Sequence, residues 1–182
     1  MGQSKAVKVP NTYHRFIDEA GDPTFFGKGG VPILGNAGVS KTFMLGMLKY
    51  KQPLEEVRQI IEDFIQEVSQ DPYFYKIPSV QKRIATGGLY LHAKDDPPEL
   101  RYKFYELLRK NVKFRLQAIV GRKELTRFVN KHNKQEREFY ADLLARMLHD
   151  KANYKKLVLN IASRGSSTRT QNLEEAVLKA EE

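Results

Sequence analysis

The sequence contains no cysteine. That excludes thiolate metal sites, thiol catalysis and a disulfide framework, and it suits a reducing compartment. No apolar run approaches the roughly 18 residues of a membrane span, and the N-terminus lacks the apolar core of a secretion signal. Met1-Gly2 opens like an acylation signal, but Ala6 stands where that motif requires Ser or Thr. Together these absences predict a soluble, cytoplasmic protein. No covalent staple is needed either. The 182 residues suit a single domain over 1–182, since domains run to roughly 100–200 residues. A chain this long buries on the order of 70% of the surface its unfolded form exposes.

Charge is present in excess and unevenly. Lys and Arg number 31 against 22 Asp and Glu, a net charge of +9. Residues 1–100 balance at 12 of each sign and residues 138–182 at 7 of each, whereas 101–137 holds 12 basic and 3 acidic side chains (12 − 3 = 9). An excess gathered into one stretch points to a polyanionic partner, nucleic acid above all; its bland alternative is a solvated, Lys-rich face.

Hydrophobic patterning alternates between strand and helix periods. Tyr13–Asp18 reads as a short strand, residues 23–42 as a Gly- and Pro-containing loop, and Phe43–Tyr50 as a second strand. Leu54, Val57, Ile60, Ile61, Phe64, Ile65 and Val68 fall at helical spacing, with Glu55 and Glu56 in the first turn, where the helix dipole favours anions. Leu89–His92 is a short apolar segment, and Asp96-Pro97-Pro98-Glu99 reads as a helix start with Asp96 as cap. Phe114–Val120 is a strand with Phe114, Leu116 and Ala118 on one face and Arg115 and Gln117 on the other. A helix over Glu124–Lys131, another capped by Asn133 with Glu136, a strand over Leu157–Ala162 and a last helix from Gln171 follow. The order predicts an α/β fold, a mixed sheet of about five strands flanked by helices. The last helix reaches Glu182 with no Gly, Asn or Pro to end it, so the sequence reads as a fragment or as lacking an ordered C-terminal part.

Four groups of residues could carry chemistry. Gly35-Asn36-Ala37-Gly38-Val39-Ser40-Lys41-Thr42 nearly matches a phosphate-cradling loop, but Ser40 replaces the glycine before the lysine and the residues that follow read as well for strand as for helix. This leaves a P-loop nucleotide hydrolase as the weakest alternative. Phe16-Ile17-Asp18-Glu19-Ala20-Gly21-Asp22 ends an apolar strand in carboxylates. Ionised carboxylates held together favour a bound cation, and hard oxygen donors suit Mg²⁺ or Mn²⁺; a solvated turn is the competing reading. His92, followed by Asp95 and Asp96, offers a metal ligand, proton shuttle or phosphate donor, or simply a histidine bonded to its loop. Finally, Lys123, Arg127, Lys131 and Lys134 recur at helical intervals, with Arg115 on the adjoining strand, and Arg164-Gly165-Ser166-Ser167-Thr168-Arg169 joins a strand to a helix start as a candidate phosphate seat or an ordinary connection.

The motifs F-I-D-E-A-G-D, T-F-M-L-G, L-H-A-K-D-D-P-P-E-L-R, A-I-V-G-R-K, E-F-Y-A-D-L-L and L-V-L-N-I-A-S-R-G-S-S-T-R, in this order from about Tyr13 onward, resemble the prokaryotic domain-of-unknown-function 3800 family. The resemblance implies a ribonuclease-H-like fold and a two-metal nuclease using Mg²⁺ or Mn²⁺. It assigns Asp18 as first-strand metal ligand, Glu19 and Asp22 as neighbouring ligands or orienters, and His92 as the site histidine. The sequence departs from the pattern in two places. It ends before a further acidic helix, and it offers Asn160 and Ser163 where a carboxylate is wanted at the end of the Leu157–Ala162 strand. The reading that results is a metal-dependent nuclease-like domain whose site is incomplete in this chain, its alternative a non-catalytic nucleic-acid- or protein-binding domain of the same fold. Two geometric expectations follow: Tyr13–Asp18 is a central strand, and Leu157–Ala162 runs parallel beside it.

Overall fold

The computed structural model describes residues 12–92, 95–149 and 156–162. The chain divides into two compact units, residues 1–49 with 116–182, and residues 50–115. The Arg164–Arg169 connection and the helix expected from Gln171 lie outside the described residues.

The first unit is built on a four-stranded sheet in the order β3-β2-β1-β4. Strand β1 spans Tyr13–Gly21, β2 Thr42–Tyr50, β3 Phe114–Arg122 and β4 Leu157–Ile161. β1 pairs antiparallel with β2, Phe16 opposite Leu48 and Gly21 opposite Phe43. On its other side β1 runs parallel to β4, Tyr13 opposite Leu157 and Phe16 opposite Asn160. The first strand is therefore central and has the expected parallel neighbour. Among the described residues the fifth expected strand is not found, because Leu89–His92 forms no strand.

One face of the sheet is closed. Ile17, Phe43, Leu45 and Met47 point into a core completed by Phe25 and by helices α5 (Leu125–Lys131) and α6 (Glu136–Leu148). α6 contributes six buried residues, among them Phe139, Leu143, Leu144 and Met147. Phe25 stacks on Phe128 with ring centroids 3.7 Å apart and meets Phe139 edge-on at 5.3 Å. Each such pair adds about 0.5–1.5 kcal/mol beyond the area it buries. α6 lies close on β3: a Cβ at Gly121 would come within 2.8 Å of Leu143 and Phe139 side-chain carbons. Consequently Ile119 and Gly121, at the far end of β3, face the core. The apolar row Phe114, Leu116 and Ala118, which periodicity would send inward, stays exposed. Period-2 alternation marks two faces but does not say which one a helix will cover.

The second unit is helical. α1 (Leu54–Gln70), α2 (Pro72–Tyr75), α3 (Pro78–Gly87) and α4 (Pro98–Asn111) surround a core of Phe64, Val68, Phe74, Val80, Leu89 and Leu100. α1 matches its sequence pattern, with Val57, Phe64 and Val68 buried and Glu55 and Glu56 in the first turn. α4 starts one residue later than expected. Pro97 occupies the cap position, and no side-chain cap is made.

No helix among the described residues is long and apolar enough to cross a membrane.

Candidate functional site

The acidic cluster begins where β1 meets the loop, but the strand does not stop at Asp18. It runs three residues further, Glu19 pairing with Leu45, Ala20 with Met44 and Gly21 with Phe43. Gly21 takes φ +88° and lies so close to the Thr42 carbonyl that a Cβ would come within 2.8 Å of it, so glycine suits this end of the strand. Because successive strand residues project to opposite faces, Asp18 and Glu19 point away from each other. The expectation that their side chains share one ion is thereby corrected. Asp22 is committed locally, its Oδ1 accepting from the Thr24 N–H at 2.8 Å, and Asp18 Oδ1 accepts from the Glu19 N–H at 2.8 Å.

Asp18 opens instead onto the sheet face opposite that core, and is exposed among the described residues. It lines a shallow groove of about 420 Å³ with Phe16, Leu48, Leu116, Asn160 and Ala162. On the neighbouring parallel strand, Asn160 donates from Nδ2 to the Arg15 carbonyl at 3.2 Å. The groove thus presents one carboxylate and one amide. These residues do not fit a two-metal centre, and among the described residues no group of three or more His, Asp or Glu side chains is placed to hold an ion.

His92 belongs to the helical unit. It is half exposed, with Nδ1 3.0 Å from Asp95 Oδ2, and its backbone N–H donates to Asp96 Oδ2 at 2.8 Å. Asp96 is not the helix cap expected of it. It is buried and bound to Arg83 at 2.6 Å, while the same guanidinium nitrogen of Arg83 also reaches the Tyr90 carbonyl at 2.7 Å. Asp96 therefore clamps the segment bearing His92 onto α3. Nothing in the spacing of residues 83 and 96 announced this pair.

The basic stripe is also revised. Lys123 precedes α5, is buried, and donates from Nζ to the carbonyls of Thr24 at 2.6 Å and Asp22 at 3.2 Å. It sits 5.3 Å from the centroid of the Phe25 ring, and burial lowers its pKa despite Asp22 and Glu136 nearby. Lys123 is a loop clamp and not a phosphate contact. Lys131 is taken by Asp142 at 2.6 Å. Past α5 the backbone turns left-handed at Asn133 (φ 51°) and Lys134 (φ 59°), so neither Lys134 nor the Asn133 cap continues as expected. Arg115 and Arg127 are exposed, as proposed for them.

The glycine loop at 35–42 is no phosphate cradle. Gly35 and Gly38 take φ of +102° and +78°, and the chain enters strand β2 at Thr42, with Ser40 Oγ donating to the Thr42 carbonyl. A phosphate loop draws much of its anion affinity from a helix N-terminus, and here a strand takes the helix's place.

A second concavity was not apparent from the sequence. A cleft of about 220 Å³ lies between the end of β3, α5 and α6, lined on its polar side by Arg122, Glu124, Arg127, His132, Asp142 and Arg146. His132 is 3% exposed. Its Nε2 lies 3.3 Å from Asp142 Oδ2, while its Nδ1 is buried with no hydrogen-bond partner among the described residues. Burial alone would raise the Asp142 pKa, but the hydrogen bonds from Lys131 and His132 outweigh it and hold the carboxyl at about 2. The ten-residue separation of His132 and Asp142 spans a turn and the first half of α6, so no local motif could have paired them.

No family model, curated protein or solved structure matches this chain. The family resemblance therefore rests on the quoted motifs.

Proposed function

We propose that this chain is a nucleic-acid-binding α/β domain with a ribonuclease-H-like sheet. The observation that supports this best is the set of cations left over once ion pairs are formed. In the sheet unit Arg122, Arg127 and Lys134 are exposed, and no ion pair claims them among the described residues. Cations held at a surface without anionic partners attract phosphates and release their counterions, which gives affinity independent of sequence. The ribonuclease-H-like description draws on the central β1 and on β4 parallel beside it, together with the resemblance.

The test is binding of a short duplex, followed by fluorescence anisotropy across a salt series. Affinity should fall with salt at a log–log slope of roughly −0.9 per phosphate neutralised. Arg127→Gln with Lys134→Gln should flatten that slope by up to about two units. A wild-type protein that ignores the duplex at low salt would refute the proposal.

A second reading, the metal-dependent nuclease, is favoured by one observation, the exposed carboxylate of Asp18 on a central strand. Since the groove offers that carboxylate and an amide, no hydrolytic step is assigned to it. Mn²⁺ titration by calorimetry separates the readings. Millimolar or tighter binding that Asp18→Asn weakens supports a metal site. Identical weak heats for both proteins leave the binding domain.

A further inference from the structure

We propose that the cleft between the end of β3, α5 and α6 is a receptor for a phosphate monoester, the terminal phosphate of a nucleotide or of a nucleic-acid strand. The inference rests on the nucleic-acid reading only for the source of that phosphate; the site itself is argued from its own residues.

Three guanidinium groups line this one concavity, Arg122 from the end of β3, Arg127 from α5 and Arg146 from the last turn of α6. Like charges gathered around a hollow repel one another, and an anion at its centre relieves them. Two carboxylates share the lining. Asp142 is already engaged by Lys131 at 2.6 Å, by His132 at 3.3 Å and by Arg146 at 3.4 Å, so its charge is offset within the wall. Glu124 is exposed at the rim. Neither Arg122 nor Arg127 forms an ion pair among the described residues. Guanidinium forks match phosphate oxygens two at a time, which is why Arg and not Lys suits such a seat.

The second, independent observation is the orphaned nitrogen of His132. This ring lines the cleft, is almost wholly buried, and keeps Nδ1 without a partner among the described residues. Buried polar atoms nearly always find a partner, and each exception asks for an explanation such as a ligand or water. The Asp142 carboxylate fixes the ring through Nε2. Nδ1 itself is sealed from solvent, so an anion in the cleft acts on this ring through Asp142 and Nε2. Shape selects the ester. A continuous nucleic-acid backbone needs an open track, whereas a hollow of about 220 Å³ walled by Phe25, Phe128 and Phe139 closes around a chain end.

The test uses the full chain and two measurements. Calorimetry compares AMP, adenosine and inorganic phosphate, and anisotropy compares a single strand bearing a 5′-phosphate with the same strand ending in a hydroxyl. AMP should bind about tenfold or more tightly than adenosine, and the phosphorylated strand likewise over its hydroxyl counterpart, the factor one charge-assisted hydrogen bond carries. Arg122→Gln and Arg127→Gln, both at exposed positions, should each remove most of that preference. The ring resonances of His132 should shift with AMP and not with adenosine. Inorganic phosphate binding as tightly as AMP supports the site and names the free ion as its ligand. Equal binding of AMP and adenosine, or a preference that survives both substitutions, overturns the proposal. Salt-dependent strand binding with no end preference also overturns it, while leaving the nucleic-acid reading intact. AMP binding without strand binding upholds the cleft and removes that reading instead.

Discussion

The two compact units receive the same basic stretch, residues 101–137, and treat it differently. In the helical unit three of them are answered by acids, while Lys113 and Arg115 stay exposed with no ion pair among the described residues. Lys103 lies 2.8 Å from Glu67, and Glu106 takes both Arg109 at 2.9 Å and Lys110 at 3.2 Å. Its buried guanidinium, Arg83, has Asp96 and two carbonyls, while its Nη2 has no hydrogen-bond partner among the described residues. In the sheet unit Arg122, Arg127 and Lys134 stay exposed without an ion pair among the described residues, and a buried histidine nitrogen lacks a partner. Exposed pairs contribute only about 0–1 kcal/mol each, so the pairs of the helical unit do not hold it together. What they do is offset part of its field. A charge excess counted along a sequence sets the most that a surface can present; which part of it reaches a ligand depends on where the acids fold.

The sharpest way to break this contrast is at the buried pair of the helical unit. Asp96→Ala would leave Arg83 charged, buried and without its carboxylate, and would strip the His92 N–H of its acceptor. Removing one partner of a buried ion pair costs about 3–5 kcal/mol. Urea denaturation should show that loss, and Arg83→Met combined with Asp96→Leu should recover much of it, because an apolar pair leaves no orphaned charge. A single substitution that left the midpoint unmoved would mean water reaches Arg83.

A smaller effect contrasts two cations four residues apart. Lys123 and Arg127 share a stripe by spacing, yet one is buried beneath a loop and the other is exposed. Lys123→Met keeps the aliphatic bulk and abandons the Thr24 and Asp22 carbonyls, which should cost about 1–3 kcal/mol and leave the salt slope of duplex binding alone. Arg127→Gln should do the reverse, with stability changing by within about 0.5 kcal/mol and the slope losing about 0.9. Finding both effects in either variant would erase the distinction between clamp and contact.

That pair of residues also shows how far the sequence can be read. Some strands and helices were legible because their periods are local: Leu54 to Val68 marks one face of α1, and the apolar runs at Thr42–Tyr50 and Leu157–Ile161 are strands, whereas α2 and α3 were not expected and Leu89–His92 forms no strand. Element boundaries were not legible. Lys123 lies before α5, held by the Asp22 and Thr24 carbonyls, so helical spacing says nothing of where it points, and three extra residues in β1 decide whether Asp18 and Glu19 meet. Beyond boundaries, the cleft is assembled from residues 122–146 on three elements, and His132 meets Asp142 only because two left-handed residues, Asn133 and Lys134, fold α6 back on α5. Contacts made by turns of that kind leave no periodic trace.

The smallest effect expected concerns pH and belongs to the sheet unit. The Asp142 carboxyl falls from its ordinary value near 3.8 to about 2 in the fold, as the donors Lys131 and His132 overcome the opposing effect of burial. A carboxyl whose pKa is lower folded than unfolded binds fewer protons when native. Its contribution to stability is therefore complete above about pH 5 and is lost as pH falls through the range between 3.8 and about 2. Asp142→Asn removes the titrating group while keeping the side chain's shape. Denaturation midpoints followed from pH 6 downward, about four units in all, should drop less steeply below pH 4 for the variant than for the parent, and the two curves should approach each other at the acid end. Parallel curves for parent and variant would show that Lys131 and His132 do not hold the Asp142 charge in solution. The wall of the cleft would then carry a carboxylate that is not offset, and the case for an anion beside it would weaken with it.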